Sequence, residues 1–220
     1  MKQTRLEQLY RQKLIRSEAS PKTLPTEHIL EKEMNYFPDE PQWDHLHIVE
    51  IGPGNGEFLF HLAKENPSAN LLGIEIGNKR FEKIKKGIGA RFLKNTIIAN
   101  GDARIPFYKN IKDNSLDRIY ILFPDPWPKN RHAHRRLLQK DFLEIVLKKL
   151  KPGGQFLHAT DVQDYKTWVQ ANAESLLTEN KISGAIKEGE RFEELIPTYF
   201  QRKWEDHGRS FYYLKFEKKL

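Results

Sequence analysis

The chain has 220 residues, enough for one ordinary domain, and it contains no cysteine, which excludes disulfides, thiolate metal ligands and cysteine nucleophiles. Its 37 Lys and Arg residues outnumber 30 Asp and Glu, and the resulting net charge of +7 suits a polyanionic partner. No apolar run has the length of a signal peptide or of a membrane span, so we expect a cytoplasmic protein without a membrane partner.

Residues 1–45 are predicted to form a basic appendage. Leucines at helical spacing among basic residues predict a short amphipathic helix from Thr4 to Arg16. Several prolines then interrupt the chain before Leu46, so no continuous element is expected there. The regular domain is predicted to cover residues 46–220.

Short apolar runs predict strands at residues 47–51, 70–74, 95–99, 116–123 and 154–159. The segments between them, 58–65 and 79–86 among them, are compatible with helices, and this alternation predicts an α/β fold with a parallel sheet. A longer helix is predicted from about His134 to Leu150, ended by Lys-Pro-Gly-Gly at residues 151–154. A last strand is predicted at residues 210–216.

A glycine loop follows the first strand, with Gly52, Gly54 and Gly56 at alternate positions. Such a loop lets a nucleotide-type ligand approach the backbone. A dinucleotide-binding loop would have its third glycine at Glu57, where a carboxylate repels pyrophosphate, so an NAD-dependent oxidoreductase is disfavoured. S-adenosylmethionine has no phosphate and carries two cationic groups that Glu50 would attract.

Acidic residues also follow the next two strands. Glu75 ends the second strand, where a carboxylate can accept both hydroxyls of a ribose. Asp102 and Ala103 follow the third strand, and Asp102 is placed to accept a hydrogen bond from an adenine amino group. Ligands of doubly wound folds bind along this edge of the sheet, so the three acids together predict a cofactor site.

The fourth strand runs into Pro-Asp-Pro-Trp-Pro-Lys at residues 124–129, a proline-stiffened loop that projects Asp125, Trp127 and Lys129. An acid and a lysine flanking an aromatic ring indicate recognition of a nucleic-acid base. A cluster of cationic and potentially cationic residues follows and predicts contact with an RNA backbone: Arg131, His132, Arg135 and Arg136. The histidines here lack a third ligand at a recognisable spacing, so no metal is expected.

Over residues 46–220, the glycine loop, Glu75 and the Leu-Lys-Pro-Gly-Gly segment at 150–154 resemble the class I S-adenosylmethionine-dependent methyltransferases. The resemblance implies a Rossmann-like, doubly wound, mostly parallel sheet with a C-terminal antiparallel strand. It also implies S-adenosyl-L-methionine as the methyl donor and S-adenosyl-L-homocysteine as the product.

The string Phe-Pro-Asp-Pro-Trp-Pro-Lys at 123–129 and the cations after it closely resemble the bacterial tRNA (guanine-N7-)-methyltransferases. This resemblance implies that tRNA is the substrate, methylated on a variable-loop guanosine at position 46. It assigns Glu50, Glu75, Asp102 and Asp125 to the cofactor site, and Asp125 also as the active-site acid. Lys129 and Asp161 fall on its substrate side.

A late Thr-x-x-Glu segment of that family corresponds to Thr198 through Gln201 in this chain. Gln201 replaces the usual Glu, so a binding role there survives while an ionic role is in doubt. Whether the protein is a monomer or a homodimer stays open.

Guanine N7 has a free lone pair, so positioning and electrostatics rather than a general base should dominate catalysis. Asp125 would either favour the cationic product or accept hydrogen bonds from the guanine edge. Two alternatives stay open. An exocyclic-nitrogen methyltransferase would use Asp125-Pro126-Trp127 as a variant of the Asp-Pro-Pro-aromatic loop, and an RNA-binding module would have a vestigial cofactor pocket.

Overall fold

The computed structural model describes residues 34–36 and 46–220, without the side chains of residues 34, 35, 130 and 131. These residues form strands β1 (Met34–Tyr36), β2 (Leu46–Ile51), β3 (Asn70–Glu75), β4 (Thr96–Gly101), β5 (Leu116–Leu122), β6 (Leu150–Thr160), β7 (Gly184–Gly189) and β8 (Tyr212–Lys218). The helices are α1 (Glu57–Glu65), α2 (Asn78–Ala90), α3 (Arg104–Lys109), α4 (Lys140–Lys149), α5 (Gln163–Thr178) and α6 (Tyr199–Glu205). The predicted helix from Thr4 to Arg16 lies outside the described residues.

One sheet contains all eight described strands, in the order β1-β4-β3-β2-β5-β6-β8-β7. Strands β2 to β6 are mutually parallel, whereas β8 is antiparallel to both of its neighbours. The predicted doubly wound, mostly parallel sheet with a C-terminal antiparallel strand is therefore confirmed. Within the predicted appendage, β1 adds an antiparallel edge strand next to β4.

The strand order reverses between β2 and β5, and ligands of open α/β sheets bind outside the carboxyl ends of the strands at such a switch point. Helices α1 and α2 bury Phe58, Leu59 and Phe81 in one core cluster. Helices α4 and α5 bury residues such as Phe142 and Val169 in a second cluster. The two layers leave the carboxyl edge of the sheet open for a site.

The helix predicted from His134 is shorter than expected, because α4 begins at Lys140. Residues Asn130–Arg135 form a separate 3₁₀ helix instead. Gln139 joins the two elements, since its side-chain amide donates to the carbonyls of Ala133 (2.6 Å) and Arg136 (3.2 Å). Cations in the first segment also oppose the dipole of a continuous helix.

The Lys-Pro-Gly-Gly segment follows the end of α4 as predicted, but it already belongs to β6. Its residues form an irregular start of that strand, because Leu116 pairs with Leu150 and Arg118 pairs with Gln155. No helix within the described part of the chain is long and apolar enough to cross a membrane.

Candidate active site

The glycine loop between β2 and α1 depends on backbone conformations that favour glycine. Gly52, Gly54 and Gly56 have φ values of 74°, 60° and 82°. A Cβ at Gly56 would lie 2.7 Å from the ring of Phe60, whereas the space in front of Gly52 and Gly54 is open. The loop therefore presents bare backbone to the carboxyl edge of the sheet.

Two buried carboxyl groups lie beside this loop. Glu75 accepts hydrogen bonds from the backbone N–H of Gly77 (2.8 Å) and of Gly54 (3.3 Å). Glu50 is 3 % exposed, and its Oε2 has no hydrogen-bond partner among the described residues. Burial and, secondly, the charge of Glu75 raise the pKa of Glu50 to about 8. A buried acid without a partner is suited to a cationic ligand group.

Two adjoining cavities bring the predicted acids together. Cavity I has a volume of about 480 Å³ and is lined by Glu50, the glycine loop and Asp125. Cavity II, of about 360 Å³, is lined by Glu75, Asp102, Ala103 and again Asp125. Both are also lined by Gly52, Arg80, Leu122 and Phe123. The acids predicted from successive strands thus surround one depression, and Asp125 lies where its two halves meet.

Asp102 has a protein partner in this structure. Its carboxylate accepts from the backbone N–H of Arg104 (3.0 Å) and from the guanidinium of the same residue. An adenine amino group would have to share this carboxylate with Arg104.

The loop after β5 has a strained backbone. Phe123 and Trp127 have φ values of 51° and 42°, a region that costs a non-glycine residue about 1–3 kcal/mol. The Phe123 N–H donates to the carbonyl of Ala159 at 2.7 Å, and its ring packs against Phe200 at a centroid distance of 5.1 Å. These contacts fix the loop, while the side chain of Asp125 stays exposed at the rim of both cavities.

The prediction that Arg136 contacts phosphate needs correction. Arg136 is 6 % exposed, and its Nε donates to the carbonyl of Pro126 at 2.9 Å. Its guanidinium lies 5.4 Å from the ring centroid of Tyr165 and 5.2 Å from that of Trp168. Because protein groups enclose it, we assign Arg136 to holding the loop that carries Asp125.

We expect Arg136→Gln to lower the free energy of unfolding by about 1–3 kcal/mol, because it leaves a partly buried carbonyl and two ring faces without their cation. Arg135→Gln is the matched control, since Arg135 is exposed and should tolerate the change. Urea unfolding followed by fluorescence would measure both. Equal stability of the two variants would contradict the assignment.

The other predicted cations surround the same loop. Lys129 and Arg135 are exposed, and the guanidinium of Arg135 lies 5.0 Å from the ring centroid of Trp127. His132 contacts the edge of the same ring, with centroids 5.9 Å apart. The side chain of Arg131 lies outside the described residues. Trp127 therefore has the cation of Arg135 near its ring.

Asp161 is paired with Arg209. The guanidinium of Arg209 lies 3.7 Å from the ring centroid of Trp204, which lines cavity I. Asp161 is thereby connected to the lining of cavity I through Arg209 and Trp204.

The predicted Thr198–Gln201 segment forms the start of α6. Thr198 lines cavity I, and its Oγ1 accepts from the backbone N–H of Gln201 at 3.3 Å. The prediction that Gln201 binds substrate needs correction, because its side chain is fully buried and donates to the hydroxyl of Tyr213 at 3.0 Å. Helix α6 was not predicted from the residue pattern, so the sequence did not show that Gln201 lies on the buried face of that helix.

Helix α6 supplies site residues that sequence reasoning missed. Tyr199, Phe200, Lys203 and Trp204 line cavity I, as does Arg80 from α2. Glu57 connects α1 to the start of α6, since its carboxylate accepts hydrogen bonds from the backbone N–H of Tyr199 (2.5 Å) and from the guanidinium of Arg202 (3.0 Å). The i, i+4 spacing of Tyr199 with Lys203 and of Phe200 with Trp204 was the available signal. Within the described chain, no group of three or more His, Cys, Asp or Glu residues could hold a metal ion.

This sheet order, with acids at the ends of successive strands around a glycine loop, defines a class I methyltransferase fold. Similar solved structures include a 30S ribosomal A1408 methyltransferase from an uncultured bacterium, at a TM-score of 0.54 and 15 % identity over 84 % of this chain and 97 % of that one. Another is phosphoethanolamine N-methyltransferase 2 of Haemonchus contortus in complex with S-adenosyl-L-methionine, at a TM-score of 0.54 and 13 % identity over 82 % and 50 % of the two chains. These likenesses concern the fold.

Residues 44–214 match the family described as "Putative methyltransferase". The tRNA (guanine-N(7)-)-methyltransferase of Aquifex aeolicus is 38 % identical over 76 % of this chain and 54 % of its own length. The protein of the same name from Nitrosococcus oceani is 34 % identical over 79 % and 72 %, respectively. The chain thus spans about half the length of the first relative and more of the second. It belongs to the methyltransferase family that includes these proteins.

Proposed function

We propose that this protein transfers the methyl group of S-adenosylmethionine to N7 of a guanosine in tRNA, at position 46 of the variable loop, in the cytoplasm. One observation carries the proposal: Glu50, Glu75, Asp102 and Asp125 surround a single depression beside the glycine loop. The relatives named tRNA (guanine-N(7)-)-methyltransferase support the choice of substrate.

The acids fit the polar groups of the proposed methyl donor. Glu50 has an unpartnered buried oxygen for a cationic group. Burial and the charge of Glu75 raise the pKa of Glu50, and a bound cation would favour its ionised form. Glu75 already accepts two backbone hydrogen bonds and keeps further lone pairs for ribose hydroxyls. When bound, the donor supplies a sulfonium-activated methyl group.

The substrate side combines aromatic faces with cations. Trp127 lines cavity II, and Tyr199 and Trp204 line cavity I, where ring faces can stack on a base that has left its helix. Lys203 and Arg135 lie among them and can neutralise nearby phosphates. Asp125, at the junction, is positioned to stabilise the positive charge that the purine gains when its N7 lone pair attacks.

The test incubates the protein with labelled S-adenosylmethionine and unmodified tRNA and then identifies the methylated nucleoside. We expect N7-methylguanosine, and no incorporation into a matched tRNA whose guanosine 46 is replaced by adenosine. A product methylated on an exocyclic nitrogen would support the alternative base chemistry. tRNA binding without S-adenosylmethionine binding in calorimetry would support the RNA-binding module.

A further inference from the structure

The positive charge of this protein is concentrated in one short segment. Residues 78–94 contain seven lysines and arginines and a single acid, Glu82, so they carry a net charge of +6. The rest of the chain is nearly balanced, with 30 cations and 29 acids. The segment comprises α2 and the turn after it, and its cations are Lys79, Arg80, Lys83, Lys85, Lys86, Arg91 and Lys94.

These seven cations are exposed. Within the described residues, none of the seven forms a salt bridge, whereas Lys148 on α4 pairs with Glu144 and Lys151 on β6 pairs with Asp117. Like charges one turn apart on a helix destabilise it. An uncompensated cationic stripe of this kind indicates an anionic partner.

Two of these seven cations, Lys83 and Arg91, line a groove between α1 and α2, cavity III, of about 550 Å³. Its cationic or potentially cationic lining consists of His61, Lys64, Lys83 and Arg91. The guanidinium of Arg91 lies 4.4 Å from the ring centroid of Phe60, and the Lys83 ammonium donates to the side chain of Asn55 at 2.9 Å. The groove is therefore cationic along both of its walls.

Cavity III continues into the candidate active site. Asn55 and Glu57 line both cavity III and cavity I, and Arg80 of α2 lines cavities I and II. Glu57 is the acid at this junction, and Arg202 pairs with it. A long polyanion that enters the active site can thus follow cations along α2 without crossing an unpaired carboxylate at the junction.

We propose that the α1–α2 surface, formed by Lys64, Lys79, Lys83, Lys86 and Arg91, is a second contact surface for the sugar–phosphate backbone of the tRNA. It lies on the sheet face opposite to α4 and α5, whereas Arg136 ties the segment of Arg135 to α5. The inference rests on the proposed function and adds where the body of the tRNA lies. The contacts at this surface would be electrostatic and would not depend on the nucleotide sequence of the tRNA.

The test removes three cations of this surface from the full chain with the substitutions Lys79→Gln, Lys83→Gln and Lys86→Gln, which together are called the stripe variant. These positions are spaced i, i+4 and i+7 and so share one side of α2, and glutamine keeps the helix propensity of lysine. The matched control, Lys148→Gln, Lys151→Gln and Lys181→Gln, removes the same charge from cations that are paired with acids. Fluorescence anisotropy would measure the Kd for unmodified tRNA over a series of salt concentrations.

We expect the stripe variant to weaken tRNA binding at low salt by about tenfold or more and to reduce the salt slope by about 1 for each phosphate that the variant no longer neutralises. The control should keep the wild-type slope, and replacing the same three α2 lysines by arginine should restore it. All variants should remain folded in thermal unfolding and keep the wild-type affinity for S-adenosylmethionine.

The outcomes separate this surface from the function on which it rests. If the wild-type protein methylates tRNA but the stripe variant keeps its affinity and slope, the surface is wrong and the function stands. If the control variant lost as much tRNA affinity as the stripe variant, the effect would come from net charge alone, and the proposed contact surface would also be wrong. If the wild-type protein neither binds nor methylates tRNA, the proposed function itself fails.

Discussion

Replacing Asp125 by alanine is expected to lower kcat for tRNA methylation by about a hundredfold or more and to leave the fold intact. Removing one group that stabilises charge in a transition state has effects of this size. The loop does not depend on this side chain, because Arg136 holds the Pro126 carbonyl and the Phe123 N–H donates to Ala159. The exposed carboxylate at the rim of both cavities can therefore be removed without moving its neighbours.

Steady-state methylation at saturating S-adenosylmethionine and tRNA would measure this change in kcat. Asp125→Asn separates the two possible roles, since an amide still accepts a hydrogen bond from the guanine edge but carries no charge. A defect as large as that of alanine would assign the role to charge. Asp164→Ala removes an exposed acid from the first turn of α5 and serves as the control. Wild-type turnover in a folded Asp125→Ala variant would exclude Asp125 from the site.

The sheet and its acids could be predicted from sequence because they depend on local patterns. Buried parallel strands are short apolar runs, and the chain then places their carboxyl ends at one edge. With strands predicted at residues 47–51, 70–74 and 95–99, Glu50, Glu75 and Asp102 had to lie near one another. The structure confirms that these acids line adjoining cavities.

Arg136 and Gln201 could not be predicted because distant contacts decide which way they face. Arg136 is enclosed by the rings of Tyr165 and Trp168, which belong to α5 and follow α4 and β6 in the chain. Gln201 is turned inward by a helix whose first N–H groups bond to Thr198 and to Glu57. Glu57 lies 142 residues before its partner Tyr199, a distance over which residue patterns carry no signal.

Binding of S-adenosylmethionine is expected to release a proton at pH 7 and to strengthen as the pH rises toward 8. Glu50 has a pKa of about 8 in the free protein, so it is mostly protonated at neutral pH. A cationic group at its unpartnered oxygen favours the carboxylate and displaces that proton. Below its pKa, each pH unit should therefore weaken binding by up to about tenfold. Calorimetry in buffers with different ionisation enthalpies would count the protons released.

Glu50→Gln should abolish this proton release and weaken binding by about a hundredfold or more, because a cation would then enter a buried site without its counter-charge.

The Glu50→Gln variant should also be more stable than the wild type when no ligand is bound. The folded-state pKa of Glu50 lies above its ordinary value of 4.5, so the folded state holds the extra proton and loses stability as the pH rises from about 4.5 through about 8. Glutamine does not ionise, and the stability advantage of Glu50→Gln should therefore grow across that window in thermal unfolding. Glu65→Gln, at the exposed end of α1, should change neither property. Wild-type affinity together with a wild-type pH profile in Glu50→Gln would show that this carboxyl does not face the methyl donor.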